Sequence, residues 1–262
     1  WQYWTVSYDH TGDKTIRIYK NGQEVSYNNQ TVGTGNAISD ESYNFYINSD
    51  YYNLDGMMDE IKVYDYVRTP AQIAWDYNRG KPVAHWKFDE ASAGSADGGT
   101  LVDSSGNGYS GTGSASGSGL DYVVGKFGNA LEFDGVDDFI DIGDVAIDIN
   151  AVSFWLKSNT NTESVIDLDG GTHTIEISGE TLVANGFSSP SIYVDGKTAN
   201  TVDTNWRYIL VQTNTAIDLN NFDIGRIGGA YFDGIIDDVR IYNYVLPDSM
   251  IREVYNGGNV KY

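Results

Sequence analysis

The residues in this chain best suited to chemistry are carboxylates and amides set among glycines. Asp103-Ser-Ser-Gly-Asn107-Gly offers side-chain oxygens from Asp103 and Asn107, and its glycines let backbone carbonyls turn inward. Calcium takes roughly six to eight oxygens from carboxylates, amides and backbone carbonyls. Asp103 and Asn107, joined by Asp237 from a strand near the end of the chain, are therefore the expected ligands of a structural Ca2+, while the same loop also reads as a plain turn. Asp134, Asp137, Asp138 and Asp141 form a second acidic group, which with Gly135 reads as a hairpin turn bearing solvated carboxylates. Asp167-Leu-Asp-Gly170 is a fragment of an EF-hand loop without its glutamate.

Catalytic chemistry is poorly supported. His10, His85 and His173 are scattered through strand-like stretches, away from any serine or carboxylate motif. Glycoside hydrolysis needs two carboxylates facing one cleft, which alternate residues of a strand supply; Glu176-Ile-Ser-Gly-Glu180 has the wrong spacing. The glycine-rich stretches lack the Lys-Ser/Thr of a phosphate loop. No catalytic or cofactor-binding residue is expected, and the chain reads as a non-enzyme.

A formal charge of −21 argues against nucleic acid and anionic membrane as partners and favours divalent cations. No apolar run approaches membrane-spanning length, so no membrane insertion is expected. With no Cys, disulfides and thiolate metal sites are excluded. Opening at Trp1 without a signal peptide implies a processed or internal start. Twenty Tyr, six Trp and thirty Gly against four Pro favour strands joined by glycine-rich turns.

The elements that must position these residues are organised by a repeat. Leu54-Asp-Gly-Met-Met-Asp-Glu-Ile-Lys-Val-Tyr64 recurs without a gap as Phe232-Asp-Gly-Ile-Ile-Asp-Asp-Val-Arg-Ile-Tyr242. Each copy predicts a turn, a strand and a short helix, with Asp237, Val239 and Ile241 (Asp59, Ile61 and Val63 in the first copy) on one face by the period of two. Thr69-Pro70-Ala71-Gln72 reads as a capping box, with Gly80 as the helix stop. Asn21-Gly22 and Asp195-Gly196 mark tight hairpins. A strand is expected at 43–52, and about a dozen short strands follow the Lys81-Pro82 boundary.

Trp86-Lys-Phe-Asp-Glu90, Asp103-Ser-Ser-Gly-Asn-Gly108, Gly-Lys-Phe-Gly-Asn-Ala-Leu-Glu-Phe-Asp-Gly-Val-Asp-Asp at 125–138, Ser153-Phe-Trp-Leu156 and the closing 232–242 segment resemble, in order, the landmarks of the laminin-G-like, concanavalin A-like jelly-roll domain. The resemblance implies an all-β fold: an antiparallel β-sandwich with a short helix after the closing strand of each copy, and often calcium at one rim. Residues 83–262 are expected to be a complete domain, and residues 1–82 only the C-terminal half of another.

Half a sandwich leaves an apolar sheet face open. Two functions follow as expectations. One is an extracellular or cell-surface, fibre-forming structural protein whose copies associate head to tail through the half-domain. The alternative is a carbohydrate-binding adhesin or lectin module of a larger secreted protein, with Trp1, Trp4, Tyr51, Tyr52 and Tyr122 as candidates to stack on glycans.

Overall fold

The computed structural model describes residues 1–34, 46–47, 54–114, 119–145 and 147–256. The chain forms two compact units, Trp1–Tyr77 and Asn78–Tyr262. The expected strand at 43–52, with Tyr51 and Tyr52, lies largely outside the described residues.

The first unit holds β1 (Trp4–Tyr8), β2 (Ile16–Lys20) and β3 (Gln23–Glu24), paired in that order, with the helix α1 (Pro70–Asn78) closing the unit. The Asn21-Gly22 turn joins β2 to β3, both residues taking positive φ, as a type I′ hairpin requires. The capping box forms reciprocally: the Thr69 amide donates to Gln72 Oε1 at 3.0 Å, and the Gln72 amide donates to Thr69 Oγ1 at 3.2 Å. Residues 57–64, the first copy of the repeat, run without strand pairing and are almost wholly exposed. The strand expected there does not form, because no neighbouring strand among the described residues is present to pair with it.

The second unit opens with β4 (Ala84–Trp86), β5 (Gly94–Ser95), β6 (Thr100–Leu101) and β7 (Gly111–Ser114). It continues through β8 (Asp121–Val124), β9 (Asn129–Asp134), β10 (Phe139–Gly143), β11 (Asp148–Ser158) and β12 (Thr162–Asp167). Next come β13 (Thr174–Ser178), β14 (Thr181–Asn185), β15 (Ser191–Val194), β16 (Lys197–Thr198) and β17 (Arg207–Asp218). The last are β18 (Phe222–Ile224), β19 (Arg226–Ile227), β20 (Ala230–Tyr231), β21 (Asp233–Tyr242) and the helix α2 (Asp248–Tyr255).

These strands build an antiparallel sandwich. One sheet runs β14-β13-β12-β18-β10-β7-β6; the other runs β16-β15-β17-β11-β21-β9-β8-β5, with β4 also on β21. Trp86, Phe133, Phe154, Ile209 and Val239 from one sheet meet Ile140, Ile166, Ile175, Phe222 and Ile224 from the other, all fully or almost fully buried. This layer supplies the main hydrophobic stabilisation. Tyr122 belongs to it, at 8% exposure, and so is no glycan platform.

The closing strand β21 breaks its own alternation. Its register against β11 slips between Arg240 and Asp237, where Asp238 takes φ 54°, the mark of a β-bulge. Ile236, Val239 and Ile241 therefore face the core, whereas Asp237 sits opposite Trp155 on the outer face. This corrects the expected sharing of one face by Asp237, Val239 and Ile241. The outer face is itself covered: Trp155 and Tyr208 pack against Tyr255 of α2, with ring centroids 5.6 and 5.7 Å apart.

Candidate functional site

The two units repeat one arrangement. In the second, the hairpin pair β16-β15 lies beside β17, then β11, then β21. In the first, the hairpin pair β3-β2 lies beside β1. The helix tyrosine packs on the hairpin glycine in both: a Cβ on Gly196 would stand 3.2 Å from Tyr255, and one on Gly22 would stand 3.1 Å from Tyr77. The chain order differs, since β15 precedes β17 whereas β2 follows β1, but the spatial order is the same. By this correspondence the place next to β1, filled by β11 in the second unit, is a groove in the first.

That groove is about 1350 Å³ and is lined by residues 1–11 on one side and Leu54–Arg68 on the other. Val6 pairs with Ile18, Trp4 with Lys20 and Tyr8 with Ile16, so these side chains share one face of the sheet. Trp4, Val6, Tyr8 and Ile16 are 55, 65, 47 and 53% exposed. The opposite face carries Ser7 and Tyr19, which are buried. The ladder to β2 continues from Tyr3, whose carbonyl accepts the Asn21 amide at 2.8 Å. By antiparallel alternation the odd residues of β1 bond β2, and the amides of Trp4, Val6 and Tyr8 point to the other edge, which pairs with no strand among the described residues.

Asp237 is fully buried against the loop 125–129. Its Oδ2 accepts the Phe127 amide at 2.9 Å, while Oδ1 is buried without a hydrogen-bond partner. Burial pushes this carboxyl up to about 7, and the charges of Asp238 and Asp89 push the same way against the amides of Phe127 and Lys126. Asp89 accepts the Asn129 amide at 2.9 Å, which sets a second carboxylate on this loop. Gly125 admits the close approach, since a Cβ there would stand 2.7 Å from Asp237 Oδ2.

Asp103 has a different environment. Its Oδ1 accepts the amides of His85 and Ser105 at 3.0 and 2.8 Å, and its Oδ2 accepts the Ser105 hydroxyl and the Tyr109 amide at 2.8 and 3.1 Å. Burial alone would raise this carboxyl, but the four donors outweigh it and hold Asp103 below the usual carboxylate range. Asn107 turns its amide to the Val83 carbonyl at 2.8 Å. Asp103 and Asn107 thus share one loop, and neither has a hydrogen-bonding partner in common with Asp237.

Sequence reasoning missed two features. The bulge at Asp238 brings its Oδ1 to His85 Nε2 at 2.5 Å and its Oδ2 to Arg240 at 2.7 Å. The signal available was the pair of adjacent acidic residues in each copy of the repeat, Asp59-Glu60 and Asp237-Asp238. Among the carboxylates expected to be solvated, Asp138 is fully buried, and burial, with the charges of Asp134, Asp137 and Asp97, pushes it up to about 6.

Because the folded-state carboxyl of Asp103 ionises below its ordinary value of 3.8, its stabilisation is present above that pH and fades as pH falls through the folded value. Asp103→Ala is expected to cost about 2–4 kcal/mol at pH 7 through its lost charged hydrogen bonds. The gap from the unmodified protein should narrow in denaturant titrations below pH 3.8. An equal gap at all pH values would show that the charge of Asp103 contributes nothing.

Among solved structures, the chain is similar to domain 4 of AbnA, a GH43 extracellular arabinanase from Geobacillus stearothermophilus, in complex with arabinotriose. That match is 25% identical, covers 67% of this chain and 98% of that one, and has a TM-score of 0.45. The binding domain of Paraclostridial Mosquitocidal Protein 1 is similar at 14% identity over 69% of this chain and 53% of that one, TM-score 0.48. A Trypanosoma rangeli sialidase is similar at 12% identity over 68% of this chain, TM-score 0.47, and the chain spans 33% of its length. No curated protein matches the sequence. Residues 1–74 match the laminin-G-type family described as the concanavalin A-like lectin/glucanases superfamily.

Proposed function

We propose that this chain is a non-enzymatic, extracellular assembly protein in which the groove of the first unit takes an extended strand from another copy. The observation that carries this reading is that, among the described residues, no strand pairs with the outer edge of β1, which lies beside an exposed apolar face. In the second unit the equivalent place is filled by β11, which pairs with β17 on one side and β21 on the other. A strand entering the groove gains main-chain hydrogen bonds from the edge and sets its own side chains beside Trp4, Val6 and Tyr8 on the same face. A head-to-tail contact of this kind whose rotation does not close joins repeated copies into a fibre.

The second reading is glycan binding in the same groove. It is favoured by the coincidence that the lectin/glucanase match covers the residues that line it, among them the exposed Trp1, Trp4 and Tyr66. Aromatic faces of this kind stack on sugar rings.

A structural calcium ion belongs to either reading. Asp237 fits it, since its buried Oδ1 lacks any protein donor and a second carboxylate, Asp89, stands on the same loop. Calcium there would neutralise a buried charge and tie the loop 125–129 to β21. Asp103 and Asn107 tie their loop to the start of β4, through the His85 amide and the Val83 carbonyl.

Electron microscopy and sedimentation of purified protein should show filaments or concentration-dependent oligomers. Val6→Pro removes an edge donor without touching the β1–β2 ladder and should leave monomers. A peptide with the sequence of residues 148–158 should compete for the groove. A monodisperse monomer at all concentrations, together with saturable oligosaccharide binding lost in Trp4→Ala, would favour the glycan reading instead. Calcium chelation should lower the melting temperature, and Asp237→Asn should remove the part of that shift due to this loop; melting unchanged by chelator would remove the calcium claim.

A further inference from the structure

The turn between β9 and β10 gathers three carboxylates that the groove and the Asp237 loop do not use. Ligand oxygens of Asp134, Asp137 and Asp138 lie within 4.8 Å of one another. Asp138 is fully buried, and its Oδ2 accepts the Asp134 amide at 2.9 Å. Its Oδ1 is buried with no hydrogen-bond partner, and the Oδ1 of Asp97, from the turn after β5, is in the same condition. Among the described residues, none of these four aspartates is in an ion pair.

A buried carboxylate oxygen facing other carboxylates is costly unless a cation compensates it. Gly119 closes over the group, and a Cβ there would stand 2.7 Å from Asp138 Oδ2 and 3.0 Å from Asp134 Oδ2. Only a glycine leaves this space bare. The donors are all oxygens, with no imidazole or thiolate among them, which selects a hard cation over a transition metal.

We propose that Asp134, Asp137 and Asp138 bind a divalent cation of the calcium class at the β9–β10 turn, in a site that shares no residue with the Asp237 loop. The ion would hold this turn against Gly119, and Asp97 adds negative charge from the neighbouring turn. Unlike Asp237, this group does not depend on the bulge in β21.

The test is calorimetric titration of the full, metal-stripped chain with CaCl2 in an Asp237→Asn background. One Ca2+ per chain is expected to bind there still, about tenfold or more weakly once Asp137→Asn is added. Asp138→Asn should act in the same direction, and Asp137, which is only half-buried, decides the matter if the Asp138 variant fails to fold. In crystals soaked with Tb3+, an anomalous peak should lie beside Asp138 Oδ1. The absence of calcium heat in the Asp237→Asn protein, or unchanged binding in Asp137→Asn, would overturn the proposal whatever becomes of the Asp237 site.

Discussion

A sheet with an apolar face must bury it, and in this protein the two copies of one arrangement differ in how they do so. In the second unit, helix α2 packs on the outer face of the sheet through Tyr255, and a second sheet covers the inner face. The first unit keeps the helix contact, with Gly22 against Tyr77, but among the described residues no second sheet lies over Trp4, Val6 and Tyr8. The hydrophobic effect scales with area removed from water, so three large side chains left about half exposed favour association with a partner that adds apolar side chains beside or over them. Everything proposed about association follows from that asymmetry.

The second constraint is electrostatic. With 37 acidic residues against 16 basic ones, the chain buries several carboxylates and must compensate each by a local device. Asp103 uses four protein donors, Asp238 uses His85 and Arg240, and Asp223 uses Arg226 at 2.7 Å. Asp237 and Asp138 are each left with one oxygen that has no donor. For Asp237 the strand bulge at Asp238 is the cause, because it turns Asp237 outward while keeping Val239 and Ile241 in the core.

Much of the fold was legible in residue order. The Asn21-Gly22 and Asp195-Gly196 hairpins and the capping box at Thr69 follow from local rules that tertiary context did not override. The faces of β21 were not legible, since a bulge shifts the period of two without any residue type that demands it. The strand expected at 57–64 failed for a non-local reason: its sequence copies β21, but β21 exists by pairing with β11, β9 and β4. Asp138 was misread as solvated because its burial depends on Gly119, nineteen positions away in sequence.

The open edge of β1 makes the account directly measurable. Hydrogen–deuterium exchange at the amides of Trp4, Val6 and Tyr8, followed across protein concentration, reports whether another strand pairs there. Fast exchange in dilute protein that slows as copies associate is the predicted result. Exchange that stays equally fast at every concentration, in protein that nevertheless assembles, would contradict it.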